Sequence, residues 1–405
     1  SMADVPQIED PRGWANVLAA FVGLALSYAM FTVFMFGTLV QPLEQEFGWS
    51  RAAMSLALTI TNITVVFGSP LMGYLVDRFG VKRLLVPSII LMGIAVWSMS
   101  MLPDSLAWFY AGYLAITLFG LGTLPLSYSR VVIAWFDRRR GLALGIALAG
   151  FGVGGALVPE ISKIMIEGYG WRSAYQLFAA LILLVSLPMV LLLLREAPTE
   201  RAGVPLPPAT GLPNREAART RNYWLVLFSF LLVGVGITSV LSHLVPMLLD
   251  RGMSLSSAAR CMSTLAVALI FGRIFAGFLM DHFFAPWVTA AFIVFGLAGG
   301  VALLALGATG GWAFLAAALV GLATGSEISE IAYIVGRYFG QLSFGQIYGI
   351  MFGAFQLGSA IAAPLMGYYF DSVGDYTGAL WFVAGLALVG ALLVAVMSPY
   401  PEKWA

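Results

Sequence analysis

Twelve apolar stretches, each long enough to cross a lipid bilayer, dominate this sequence and leave little choice of fold. They lie at approximately 14–40, 52–76, 84–102, 106–135, 141–164, 173–194, 222–249, 256–280, 285–307, 311–336, 345–369 and 378–398. A bilayer core takes about 20 apolar residues per helix. Backbone polar groups in hydrocarbon must bond within their own segment, so such runs are read as helices. With 60% hydrophobic and 10% charged residues, the composition belongs to an integral membrane protein surrounded by lipid. The residues before Arg12 are acidic and hold no basic stretch, so the first run reads as a retained span and not a cleaved signal. Its 21 basic and 20 acidic residues nearly cancel, so no basic field exists for nucleic acid. A single cysteine, Cys261, and two histidines exclude internal disulfides and leave little for a metal site, and no cofactor is expected.

The basic residues set the orientation. Placing both termini in the cytoplasm puts 14 of the 21 lysines and arginines there, including Arg138, Arg139 and Arg140, against five outside and two, Arg130 and Arg273, within spans. Eight tryptophans, Trp14 and Trp108 among them, fall near the ends of runs as interfacial anchors, whereas Trp97 does not. Residues 196–221 carry Pro198, Pro205, Pro207, Pro208 and Pro213, and suit a loosely ordered linker. The expected organisation is a cytoplasmic tail (1–13), a six-helix bundle (14–195), this linker (196–221), a second six-helix bundle (222–398) and a short cytoplasmic tail (399–405). The halves echo one another: GlyTyrLeuValAspArg at 73–78 returns as GlyPheLeuMetAspHis at 277–282, and Gly145 and Gly154 return as Gly349 and Gly358. The displacement is 204 residues in each case. The fold class is therefore an all-α membrane protein of twelve transmembrane helices in two pseudo-symmetric six-helix bundles.

Some residue types stand out inside these runs. Arg273 sits well inside an apolar segment, where a permanently charged, forked side chain is costly and faces a polar cavity or a partner. It suits a bidentate grip on a carboxylate, with pairing to a glutamate of a neighbouring helix as the competing reading. Glu327 and Glu330 are three residues apart on one helix face, and two carboxylates this close in low dielectric do not both stay ionised. They are candidate proton carriers or counter-ions to Arg273 and Arg130. Thr123, Ser127 and Arg130 recur at helical spacing as one polar stripe, with Arg130 expected to snorkel to the interface. Tyr128 and Gln356 are further cavity candidates, as is Asn62. No HExxH, GxSxG or P-loop is present, so no hydrolase or ATPase, and no enzyme, is expected. Transport energy must then come from gradients.

Gly73, Leu75, Asp77, Arg78, Gly80, Lys82 and Arg83 resemble the GxLxDRxGxKR signature of the major facilitator superfamily, between the second and third helices. In that family this stretch latches the cytoplasmic ends of the two halves, which implies gating roles for Asp77 and Arg78. GlyThrLeuValGlnProLeuGluGlnGluPheGlyTrpSerArg at 37–51, SerHisLeuValPro at 242–246, GlyArg at 272–273 and GlySerGluIleSerGluIleAlaTyrIleValGlyArgTyrPheGly at 325–340 look like bacterial relatives of the monocarboxylate transporters. The resemblance implies that Arg273 grips the substrate and that His243 lines its path, imidazole also being suited to proton sensing. SerTyrAlaMetPheThr at 27–32 resembles the animal monocarboxylate transporter segment that has a lysine at the position of Thr32, and Leu269 stands where those proteins have an aspartate. Their proton relay is missing here, so Glu327, Glu330, His243 or the substrate itself must move the proton. Tyr28 and Thr32 could contact substrate through hydroxyls, and Phe31 and Phe355 with Tyr28 would favour an acid with an apolar body.

The expected function is a secondary active transporter of small monocarboxylates such as lactate or pyruvate. It is expected to work by alternating access and proton symport, as a monomer in the bacterial inner (plasma) membrane. The competing readings are an organic-anion exchanger or facilitator and a proton-antiport drug exporter. Pro159 lies away from the antiporter glycine-proline position, which weighs against the exporter.

Overall fold

The computed structural model describes residues 11–196, 200–201, 204–205 and 209–402. Twelve apolar spans run through it: α1 (Pro11–Phe34), α2 (Leu56–Phe79), α3 (Val81–Met99), α4 (Leu106–Trp135), α5 (Arg140–Tyr169), α6 (Trp171–Leu193), α7 (Arg221–Asp250), α8 (Ser256–His282), α9 (Ala285–Ala305), α10 (Gly311–Phe339), α11 (Phe344–Val373) and α12 (Thr377–Ala395). Twelve crossings return the chain to the side on which α1 began. That side is called the terminal face below.

Local chemistry fixes the helix ends, and the two halves repeat it. Ser50 accepts from the amide of Ala53 (3.2 Å) at the start of the helix that becomes α2. At the 204-residue displacement, Ser254 accepts from Ser257 (3.2 Å) at the start of the helix that becomes α8. These hydroxyls satisfy amides that have no intrahelical partner. Gly170 and Gly374, related by the same displacement, end α5 and α11 at φ of 89° and 87°, which side chains with a Cβ rarely adopt.

Spans α1–α6 and α7–α12 form two bundles. The bundles meet where α2 lies along α11 and α5 lies along α8. Glycine permits both crossings: a Cβ on Gly73 would overlap the Gly345 carbonyl, and one on Gly141 or Gly277 would overlap the other's carbonyl. The first apolar run, expected at 14–40, ends as a span at Phe34, and a separate helix, Phe36–Phe47, continues outward.

The connection between bundles differs in part from the expected loose strap. Residues 200–201 and 204–205 form a two-residue antiparallel pairing, Glu200 with Pro205 and Arg201 with Val204. Its later part is hydrogen-bonded to the end of α10: Leu212 donates to Phe339 O (2.8 Å) and Gln341 donates to Thr210 O (2.8 Å). Two glycines at positive φ, Gly211 and Gly340, allow this approach. Pro198, Pro207 and Pro208, residues 1–10 of the N-terminal tail and residues 403–405 of the C-terminal tail lie outside the described residues.

Candidate functional site

Close packing of α8 on α10 builds the centre of the site. A Cβ on Gly272 would overlap the Leu322 carbonyl, and one on Gly325 would overlap the Leu269 carbonyl. Only glycine lets the two backbones come this near, and the approach brings Arg273 of α8 beside Glu327 of α10. Arg273 is 2% exposed. Its Nη1 donates to Leu148 O of α5 (2.6 Å), across the bundle boundary, and its guanidinium lies 5.1 Å from the centre of the Phe151 ring. Its Nε is buried without an acceptor. Among the described residues, no carboxylate is in ion-pair contact with it. Glu327 and the hydroxyl of Tyr348 on α11 are the polar groups whose fields reach it.

Around this arginine, several polar atoms are buried and unpaired. They include Glu327 Oε2, Glu330 Oε1 and the hydroxyls of Tyr348 and Ser129. Tyr348 approaches Ser129 of α4 without a hydrogen bond of ordinary geometry. A buried unsatisfied polar group costs about 1–3 kcal/mol, so a cluster of them drawn from α4, α8, α10 and α11 marks a place that water or a ligand completes. Helical rise puts Arg273 about 14 Å and Glu327 about 18 Å from the terminal ends of their helices.

Two neighbouring helices break at the same level. In α1 the regular pattern lapses at Leu26–Ser27, and Met30–Phe34 is wound more widely. In α4 the segment Gly120–Thr123 tightens, and Leu124 turns extended before Pro125. Thr123 joins the two breaks, accepting from Tyr28 N (3.2 Å) and donating to Gly120 O (2.6 Å).

The other residues expected to contact substrate are packed within the bundles. Thr123 satisfies the broken backbone of α1, and the stripe through Thr123, Ser127 and Arg130 is interrupted at Leu124. Thr32 donates to Tyr28 O (3.0 Å). Phe31 is fully buried against Phe178, ring centres 5.4 Å apart, inside the first bundle. Tyr28 is buried as well. Tyr128 is packed under Gly23 of α1, and its hydroxyl, like that of Ser127, is buried and unpaired. Phe355 stacks on Phe352, ring centres 6.1 Å apart, with its carbonyl against Gly234 of α7. Gln356 is half-buried beside it.

His243 is not gathered with Arg273. It lies about 33 Å along α7 from the terminal face, which separates the two by about 20 Å along the membrane normal. Its Nδ1 is 3.0 Å from the hydroxyl of Tyr376. Burial, with the charges of Asp250 and Asp371, pushes the Tyr376 phenol above its ordinary value, so that hydroxyl keeps its proton.

At the terminal face two carboxylates cross the bundle boundary. Asp77 accepts from the amides of Gly345 (2.9 Å) and Gln346 (2.8 Å) in the first turn of α11. Asp281 accepts from those of Gly141 (2.7 Å) and Leu142 (2.9 Å) in the first turn of α5. Each caps a helix N-terminus, where amides and macrodipole favour an anion. Every member of one set is 204 residues from its counterpart in the other. Arg130 reaches Asp77 near the terminal end of α2: its Nε is 3.1 Å from Asp77 Oδ1. Arg78 points elsewhere, donating to the Tyr74 hydroxyl of its own helix (3.2 Å). Sequence reasoning missed Asp281 as a cap, although the repeat that contains it was legible. It also missed Tyr348 and Ser129, which nothing local sets apart.

Residues 20–341 match the model of the Major Facilitator Superfamily. The chain belongs to that superfamily. This membrane transporter is 26% identical to human Monocarboxylate transporter 11 over 390 residues, covering 94% of this chain and 82% of that one. It is 28% identical to Monocarboxylate transporter 13 of Bos taurus over 407 residues, covering 96% and 89%. Its fold is that of the transporter FucP crystallised in the outward conformation: TM-score 0.71, 17% identity, 95% of this chain and 98% of that one covered.

Proposed function

We propose that the chain carries small organic monocarboxylates of the lactate and pyruvate type by alternating access, with proton symport. The terminal face would be cytoplasmic, in a bacterial inner (plasma) membrane, and the working unit a monomer. One observation carries the reading: Arg273, a buried fork on the boundary between the bundles, uses one nitrogen on a backbone carbonyl and, among the described residues, is in ion-pair contact with no carboxylate. A substrate carboxylate reaching Arg273 would supply the acceptor that Nε lacks. The similarity to monocarboxylate transporters over most of the chain supports the same class.

In this reading the structure corresponds to a state closed at the terminal face, with Asp77 and Asp281 as the gate and Arg78 outside it. Binding would compete with the bond from Arg273 to Leu148, loosening a tie between bundles at the step that must part them. Glu327 and Glu330, 2% and 1% exposed, would take a proton as the substrate's charge arrives. His243, paired with Tyr376, would serve the path at the opposite face. A second reading, exchange without a proton, is favoured by Thr32 and Leu269 at the two relay positions.

The test is counterflow of labelled lactate and pyruvate in proteoliposomes, followed by uptake under an imposed pH gradient. Arg273→Lys keeps the charge and loses the fork, and a loss of about 100-fold in uptake is expected, equivalent to about 2.7 kcal/mol. Undiminished uptake by the lysine variant would refute the site. Proton-driven accumulation that survives both Glu327→Gln and Glu330→Gln would move the carrier elsewhere.

A further inference from the structure

We propose that the terminal face holds a second anion site, distinct from the Arg273 site, for a phosphate-bearing ligand that ties the two bundles together. A cavity of 1030 Å³ opens there, walled by both bundles. Trp14, Arg138 and Arg139 stand on one side, and Phe278, Tyr333 and Arg337 on the other. Arg138 and Arg139 are exposed on the short connection between α4 and α5. Arg337, in the last turn of α10, is held in place by aromatic rings, its guanidinium carbon 4.9 Å from the centre of Tyr400 and 5.9 Å from that of Tyr333. Among the described residues, its Nε is buried and has no acceptor.

Among the described residues, Asp137, Asp281 and His282 also line the cavity. Both oxygens of Asp281 accept backbone amides of α5, and Asp137 lies 3.7 Å from Arg140. Arg140 is close enough to Arg337 for the two like charges to repel. Closure therefore brings positive charge from one bundle against positive charge from the other, around a space large enough for a polyatomic anion. Guanidinium forks match phosphate with paired hydrogen bonds, so several arginines about one cavity favour a phosphate group over a small monocarboxylate. The ligand is a soluble phosphate compound or the headgroup of an anionic lipid, which share this chemistry.

The site is assembled from both bundles, so parting them takes Arg337 away from Arg138 and Arg139. A ligand that binds the closed arrangement better shifts the population toward it in proportion to that difference. Phosphate occupancy thus restrains opening at the terminal face, whatever the transported acid.

The experiment uses the full chain in nanodiscs of phosphatidylcholine, with spin labels on the terminal ends of α4 and α10 in a Cys261→Ser background. Pyrophosphate is added at constant ionic strength against chloride. A second arm replaces part of the phosphatidylcholine with phosphatidylglycerol. The expected result is a shift of about tenfold toward the short inter-bundle distance. Apparent affinity should fall about tenfold in Arg337→Gln, the loss of one charge-assisted contact, and at least as far in Arg138→Gln with Arg139→Gln, which removes two guanidinium groups. A response to pyrophosphate alone identifies a soluble ligand, and a response to phosphatidylglycerol alone identifies a headgroup. No response in either arm, or a response unchanged by the substitutions, overturns the site. Should Arg337→Gln fail to fold, the exposed Arg138 and Arg139 pair decides.

Discussion

Replacing Asp77 by asparagine should open the terminal face by an amount that the geometry fixes. The carboxylate accepts two amides of α11, from Gly345 and Gln346, at 2.9 and 2.8 Å. A net hydrogen bond to a charged group is worth about 1.5–3 kcal/mol and one between neutral groups about 0.5–1.5 kcal/mol, so neutralising the acceptor of two bonds costs about 2 kcal/mol. Losing the charge at the helix N-terminus adds up to about 1 kcal/mol. Both contributions exist only while the bundles touch, so the open-to-closed ratio should rise about 150-fold. The pair from Arg130 to Asp77 lies inside the first bundle and persists when the face opens, so its loss weighs on folding and not on gating. Asp281→Asn should therefore open the face as much as Asp77→Asn does, and lower the melting temperature less. The double variant should show the sum of the two energies, since the caps lie on different helices and bias the same rigid-body step. Ser129→Cys in a Cys261→Ser background supplies the assay. Ser129 is fully buried, and alkylation of the thiol placed there, by a water-soluble maleimide added at the terminal face, follows the open fraction. Equal alkylation rates with and without each of the two single substitutions would refute the capping argument.

Three further outcomes are expected. Thr123→Val should cost about 1–3 kcal/mol, because it strands the amide of Tyr28 in a buried break; thermal unfolding measures it, and Thr123→Ser should restore most of the loss. Gly325→Ala, which would drive a Cβ into the Leu269 carbonyl within one bundle, should reduce the yield of folded protein, whereas Gly141→Ala, at the boundary, should leave folding intact and speed alkylation in the Ser129→Cys background. Burial pushes the Glu46 carboxyl up, but hydrogen bonds from Trp171 and Arg172 and the charge of Arg172 outweigh it and leave the group below its ordinary 4.5. A depressed carboxylate contributes stability that is present above its unfolded value and lost as the pH falls through the folded one. Glu46→Gln should therefore flatten the fall in melting temperature below about pH 4, by a small amount because both partners are partly exposed.

Composition and period carried the scaffold. Spans of about 20 apolar residues can only be helices in lipid, and the echo of 73–78 in 277–282 matches the paired caps at Asp77 and Asp281. What escaped the sequence depends on contacts between distant segments. The position of Arg130 near the end of its span is legible, but its partner Asp77 lies on another helix, 53 residues away, and no local pattern pairs them. The stripe through Thr123 assumes a continuous helix. Leu124 breaks it, and the hydroxyl turns to the amide of Tyr28, 95 residues away. Tyr348 and Ser129 carry no local pattern, and only the meeting of α4, α10 and α11 brings them near Arg273. Arg273 itself was legible because charge within an apolar run is costly wherever it lies.

The repeat also shows where the two seams between the bundles differ. At the 204-residue displacement, Arg273 corresponds to Ser69. Ser69 donates to Gly349 O (2.9 Å) across the α2–α11 crossing, and Arg273 donates to Leu148 O (2.6 Å) across the α8–α5 crossing. The symmetry counterpart of Gly349 is Gly145, so the arginine reaches three residues farther along the facing helix than a serine would. Both side chains tie one bundle to the other, but only the longer one retains a donor, Nε, after making the tie. A serine at both positions would give two equivalent crossings and no cation at either. A cation at one crossing, with none at the corresponding depth of the other, would let that seam respond to an anion in the proposed function. In the proposed function, binding energy from a carboxylate would be delivered to the α5–α8 seam, and the α2–α11 seam would follow through the shared rigid-body motion of the bundles.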